Sequence, residues 1–160
     1  MAEPEGKRVS DSYIEQVHIV QPEHLNHMQT LFGGHLMSWM DTIAGTVGSR
    51  HSGGGATMVA MDEMQIVAPG RLGDTLTYKA RVTNVGRTSM EIFIEVEAED
   101  ADKNRRTISE AHVTTVGLGE DGRPAPVPPL IIETEEEQAL WDAAEERKER
   151  RNSRRAKKNA

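Results

Sequence analysis

Residues Leu31 to Arg50 read LFGGHLMSWMDTIAGTVGSR, and this stretch decides the fold. It predicts one long helix, started at Gly33-Gly34 and ended by Ser52-Gly53-Gly54-Gly55, where repeated glycine suits the left-handed turn of a helix exit. At roughly 100° per residue, Leu36, Met37, Trp39, Met40, Ile43, Ala44 and Val47 share a wide apolar arc. A second stripe runs through Gly34, Ser38, Asp41, Gly45 and Gly48, and every member except Asp41 is small. The remaining polar sector is narrow, whereas a surface helix carries a broad one. The expectation is a helix buried on most sides. Glycine in a helix interior costs about 1 kcal/mol against alanine, so Gly45 and Gly48 point to a close approach by another backbone or a ligand. Asp41 sits in the middle of that contact. An isolated buried carboxylate is costly unless it is paired. A structural role, with the glycines letting the helix lie flat and Asp41 capping a neighbour, stands beside a functional one at this point.

The flanking segments alternate in the manner of strands. Ser12–Val20 reads as a strand and Gln21–Thr30 as a loop. Ala56–Val67, Thr75–Val85, Met90–Asp100 and Thr107–Leu118 follow as four more strands, with turns at Pro69-Gly70, Gly73-Asp74 and Ala101–Asn104. In Met90–Asp100, Met90, Ile92, Ile94, Val96 and Ala98 face one way and Glu91, Glu95, Glu97 and Glu99 the other. That is a strand with one dry and one wet face. The apolar phase of the last strand slips between Val113 and Val116, which predicts a bulge near Thr114-Thr115. Thr134 and Glu137 have capping-box spacing and begin a terminal helix. Its apolar content is thin, so it is expected to dock through Trp141 and fray into a solvated basic tail. Strand, long helix, four strands and a terminal helix give an α+β fold with a helix on one face of an antiparallel sheet. The chain divides into a flexible N-terminus (1–10), the main domain (11–130) and a C-terminal helix with its tail (131–160).

Composition narrows the function classes. The net charge of −7 hides an asymmetry: outside Arg147–Lys158 the chain has 11 basic against 25 acidic residues, a net of −14. Nucleic-acid binding needs a basic footprint that the main body lacks. No apolar run is long enough for a membrane span, no signal peptide is visible, and there is no cysteine for a disulfide or thiolate metal site. A cytoplasmic protein fits these features. His24, His27 and His35 lie close in sequence but do not match a zinc pattern, so no metal is expected. No G-x-S-x-G elbow, P-loop or dinucleotide fingerprint occurs. What remains is Asp41 about two turns beyond a Gly-rich helix start. Backbone N–H groups at that start can polarise a carbonyl and stabilise an oxyanion. The carboxylate can activate water or attack the carbonyl carbon. Asn26 adds an amide to orient water or substrate. Gly86-Arg87-Thr88-Ser89 reads as a hairpin turn whose arginine can reach a phosphate.

The ordered set Asn26…Thr30-Leu31-Phe32-Gly33-Gly34…Trp39-Met40-Asp41, Thr57…Asp62, Pro69…Gly73-Asp74 and Gly86-Arg87-Thr88-Ser89 resembles the hotdog-fold acyl-CoA thioesterases over roughly Ser12 to Leu118. The resemblance implies a long helix wrapped by a curved antiparallel sheet. It implies a dimer joined sheet edge to sheet edge, often assembled into a trimer of dimers, with active sites at the dimer interface. By that resemblance Asp41 is the general base or nucleophile, and Asn26 meets Asp41 of the other subunit. The Gly33-Gly34 backbone binds the thioester carbonyl, and Thr57 places a hydroxyl near the site. Arg87, Thr88 and Ser89 contact the coenzyme A portion of the acyl-CoA substrate, and no separate cofactor is implied. The family usually carries glycine two residues after the asparagine, where this chain has Met28. Two other readings are a hotdog hydratase and a non-enzymatic acyl-CoA sensor. The hydratase commonly has histidine five residues after the aspartate, and Thr46 stands there. The sensor must leave a thioester intact beside Asp41.

Overall fold

The computed structural model describes residues 4–160. Its elements are strand β1 (Lys7–Arg8), helix α1 (Val9–Ser12), strand β2 (Ile14–Ile19), helix α2 (Gly33–Ser52), strands β3 (Gly55–Ile66), β4 (Thr75–Val85), β5 (Ser89–Glu99), β6 (Arg105–Leu118) and β7 (Leu130–Ile131), and helix α3 (Glu135–Lys158). A five-stranded antiparallel sheet has the order β2-β4-β5-β6-β3. α2 lies on one face of it and α3 on the other. Of the N-terminal stretch 1–10, residues 1–3 fall outside the described residues. Lys7–Arg8 is secondary structure, paired in parallel with Leu130–Ile131.

α2 is held by its apolar arc. Met40, Ile43, Ala44 and Val47 are fully buried, as are Leu76, Tyr78 and Ala80 of β4 and Ile92, Ile94 and Val96 of β5. The alternation read in the sequence thus fills one core between helix and sheet. The Tyr78 hydroxyl donates to the Leu36 carbonyl at 3.1 Å and ties the helix to β4. Gly53, with φ of 78°, ends the helix in the left-handed conformation. A methyl group on Gly48 would lie 2.8 Å from Ala56 Cβ and 3.2 Å from Thr115 Oγ1. Close approach to the sheet is therefore what requires glycine there. Within the chain α2 is buried on one face only. Gly34, Met37, Ser38, Asp41, Thr42 and Thr46 are exposed, which corrects the expectation of burial on most sides.

The same contact explains the phase slip in the last strand. Thr115 and Gly117 of β6 are buried on the helix side: Thr115 lies under Gly48 of α2, and Gly117 leaves room for Val127, which a Cβ there would meet at 2.6 Å. β6 does not bulge at Thr114-Thr115. The irregularity is on its partner, where Val59 of β3 is the extra residue between the pairs Met58–Thr115 and Ala60–Thr114. A second irregularity in β3 falls between Asp62 and Gln65, with Glu63 at φ of 50°.

α3 departs most from expectation. Its start is as read: Glu137 N donates to Thr134 Oγ1 at 3.1 Å. Its basic half is docked as far as Arg151, while residues 152–160 are exposed, as a solvated end requires. Arg147 is buried and donates to both Glu91 oxygens at 3.1 and 2.7 Å. Arg150 reaches Glu63 at 2.7 Å, and Arg151 reaches Asp62 at 3.0 Å. The helix continues to Lys158, and Trp141 is only half-buried while Ala144 is buried. Charge pairing with the acidic outer face of the sheet therefore supplies the docking that thin apolar content does not. Burial alone raises the Glu91 carboxyl, but the Arg147 guanidinium bonded to both its oxygens, with the His112 ring 3.3 Å away, holds it down at about 2 against an ordinary 4.5.

Glu91 thus binds protons less readily when folded. Its stabilisation is complete above about pH 4.5 and is lost as the pH falls towards about 2. Arg147→Ala leaves that carboxylate buried without its principal partner, and it should lower stability at pH 7 by about 3–5 kcal/mol in urea unfolding. A loss below about 1 kcal/mol, the worth of an exposed pair, contradicts this account of α3.

Candidate active site

The loop before α2 folds around Asn26. Asn26 Oδ1 accepts from Met28 N at 2.8 Å and from Thr30 N at 3.2 Å. Asn26 N donates to the Thr30 carbonyl at 2.8 Å. Where the resemblance leads one to expect glycine, Met28 stands without strain. The left-handed residue of this loop is its neighbour Gln29, with φ of 61°. The loop is stitched to the turn after β3: Leu31 N donates to the Gly70 carbonyl at 2.9 Å. Asp74 closes that turn, accepting from Arg71 N at 2.8 Å and from Arg106 Nη2 at 2.7 Å. The two segments and the first residues of α2 enclose a cleft of about 420 Å³, lined by Asn26, Gly33, Leu36, Ile66, Pro69 and Ile108 among others.

The start of α2 faces this cleft without a side-chain cap; its cap position is Phe32. The first amides of such a helix have no partner inside it. A Cβ on Gly34 would collide with the Phe32 ring, so the missing side chain leaves room for that ring against the first turn. Beside this start lies an aromatic group that the sequence did not reveal. His18 stacks on Trp39 at 4.4 Å between centroids, and His24 meets the same indole edge-on at 4.9 Å. His24 Nδ1 accepts from Gln21 N. Burial, then the charge of His24, pushes the His18 imidazole below its ordinary pKa.

The site residues named from the sequence fall into three places. Asn26 and Gly33 share the cleft. Asp41 lies two turns along α2 on its exposed face, away from Asn26 of its own chain. Thr57 joins neither group. It pairs with Val116, which pairs in turn with Ser89, and this row lies on the α3 side of the sheet, since Ala56 faces Gly48. Thr57 is thereby about two strand spacings, roughly 10 Å, from Ser89. The Gly86-Arg87-Thr88-Ser89 turn is closed by Gly86 N donating to the Ser89 carbonyl at 2.8 Å. Arg87 is exposed at its tip.

Comparison with known proteins gives this geometry its class. Residues 28–104 match the thioesterase superfamily. The chain is 34% identical over 155 residues to YkhA of Bacillus subtilis, an uncharacterised acyl-CoA thioester hydrolase, covering 96% of this chain and 90% of that one. An apo-hexameric acyl-CoA thioesterase superposes with a TM-score of 0.91 at 32% identity, over 96% of this chain and 99% of that one. The Staphylococcus aureus acyl-CoA hydrolase in complex with butyryl coenzyme A and coenzyme A gives 0.88 at 31% identity, over 96% and 94%. Other structures of that enzyme carry alanine in place of an asparagine, an aspartate or a threonine. The fold is that of a hotdog thioesterase. This chain belongs to the acyl-CoA thioester hydrolase family.

Replacing Asn26 with alanine removes one acceptor shared by two amides. We expect it to lower thermal stability by about 1–3 kcal/mol, apart from any effect on activity. An unchanged melting temperature contradicts the structural part assigned to this side chain.

Proposed function

We propose that this chain hydrolyses acyl-CoA thioesters to free acid and coenzyme A, at sites completed by two copies of the chain. The observation that carries this is the separation of the site residues. Asp41 lies on the face of α2 that the chain itself leaves open, and Asn26 and the amides at the helix start lie at a cleft of their own. A second copy laid against the small-residue stripe brings an Asp41 to the other chain's Asn26. Gly34, Ser38 and Gly45 leave room for that approach. The edge strand β3 is available for the sheet-to-sheet contact, with Val59 and Ile66 exposed along it. The hexameric relative supports homo-oligomers of this kind, and a trimer of dimers is the assembly we infer.

In this reading the thioester carbonyl oxygen accepts from the unpaired amides at Gly33 and Gly34. Negative charge develops on that oxygen as the carbon becomes tetrahedral, and the positive end of the α2 dipole stabilises it. Asp41 supplies the carboxylate that activates water against the carbon or attacks it directly. Collapse of the tetrahedral species expels the coenzyme A thiolate, a good leaving group; where Asp41 itself attacks, water then cleaves the acyl–Asp41 anhydride to the free acid and regenerates the carboxylate. Arg87, Thr88 and Ser89 hold the coenzyme A portion, with the guanidinium on a phosphate. Thr57, in the same outer row as Ser89, belongs with this group. The asparagine, aspartate and threonine replaced in the S. aureus relative are the residue types of Asn26, Asp41 and Thr57. A sensor or a hydratase finds no comparable support.

Asp41→Asn should lower kcat at least about 100-fold, within the range lost with a general base, in a coenzyme A release assay. Asn26→Ala should lower it as well. Co-expressing the two variants under separate tags tests the shared site. In a mixed dimer one of the two sites keeps both residues, so assemblies bearing both tags should regain activity far above either variant alone. Mixed assemblies no more active than their parents contradict a site built from two chains.

A further inference from the structure

We propose that Lys148 of α3 is a further binding residue of this enzyme, holding a phosphate of the nucleotide portion of coenzyme A beside the Gly86–Ser89 turn. The proposal rests on the reading that this turn meets coenzyme A, and extends the site to a helix outside the hotdog core.

The turn is a fixed platform. Besides its own closing bond, Thr88 accepts from Gly117 N at 2.8 Å and Arg87 accepts from Val127 N at 2.9 Å. Two polar groups converge on Gly86. A methyl group there would lie 3.1 Å from Lys148 Nζ and 2.8 Å from Ser89 Oγ. The missing side chain at Gly86 is what lets the lysine reach the turn. Gly86 has no positive φ to explain it, so close approach, and not backbone freedom, is its role.

Lys148 also differs from its neighbours on α3. Arg147, Arg150 and Arg151 each bind an acid of the sheet. Among the described residues Lys148 has no ion pair, although it is half-buried and the chain carries a net charge of −7. The nearest acid one turn before it on the helix, Glu145, accepts from Asn84 Nδ2 at 2.9 Å. The ammonium thus lies over a turn that presents the Ser89 hydroxyl and carries exposed Arg87. Two cations and a hydroxyl around one rigid turn match a phosphate, whose oxygens accept from all three. An ammonium acts there as a point charge, and the guanidinium as a fork.

The test uses the full chain and two substrates with the same acyl group, an acyl-CoA and the acyl-pantetheine thioester, which has no phosphate. Lys148→Ala should raise KM for the acyl-CoA about fivefold at low salt, the size of a partly screened charged contact, with kcat within about twofold. The rise should shrink as ionic strength increases, and KM for the pantetheine thioester should not follow it. Lys148→Arg should restore most of the affinity. Gly86→Ala, which pushes the ammonium and hydroxyl apart, should reproduce the rise. Calorimetric titration with free coenzyme A should show the same ranking. An unchanged KM for acyl-CoA in Lys148→Ala, or equal changes on both substrates, overturns the proposal while leaving the thioesterase reading intact. Failure of the wild type to release coenzyme A from any acyl-CoA would instead remove the reading on which it rests.

Discussion

The seating of α2 on the sheet governs everything else in this molecule. Met40, Ile43, Ala44 and Val47 lose all contact with solvent against β4, β5 and β6, and the Tyr78 hydroxyl fixes the helix at the Leu36 carbonyl. Gly48 brings the helix so near the sheet that β3 and β6 carry Ala56 and Thr115 beneath it. Once that face is fixed, the orientation of the other is fixed too: Gly34, Ser38 and Asp41 point outward, with Met37 exposed beside them. The apolar contact thus determines where the carboxylate stands, and the small residues determine what can reach it.

The opposite face of the sheet solves a different problem. Its acids would leave a strongly charged surface. α3 lays Arg147, Arg150 and Arg151 across Glu91, Glu63 and Asp62. The pairs reach the irregular part of β3, whose continuation through Ile66 to Pro69 forms one wall of the cleft. The terminal helix therefore bears on the candidate site from behind, through the edge strand, as well as lying beside the Gly86–Ser89 turn.

Much of this was legible in the chain itself. The period of Leu36 to Val47 and the glycines after Ser52 place α2 to within two residues. The alternation from Met90 to Glu99 names the buried face of β5 residue by residue. What sequence could not convey was contact between distant segments. The phase slip near Val113 locates the bulge at the pairs of Thr114 and Thr115 but not its strand: the extra residue is Val59 of β3, and the small residue under Gly48 is set by another element. The poor apolar content of α3 suggested a loose tail, because its partners are acids tens of residues away in the sheet. For the site, the order Asn26, Gly33-Gly34, Asp41 is visible in one dimension. That these residues lie apart within one chain emerges only from the fold. The convergence of Lys148 on Gly86 left no signal in the sequence beyond a glycine that a hairpin turn also explains.

The central claim is that a second copy covers the small-residue face of α2 and brings Asn26 to Asp41. A crystal structure of the assembled protein with coenzyme A bound addresses it directly. The account predicts the Asp41 carboxylate within about 3.5 Å, the reach of a hydrogen bond, of Asn26 of the partner subunit or of one water shared with it. It also predicts the pantetheine arm running towards the amides of Gly33 and Gly34. An assembly in which Asp41 stays open to bulk solvent, remote from any neighbouring chain, would contradict it.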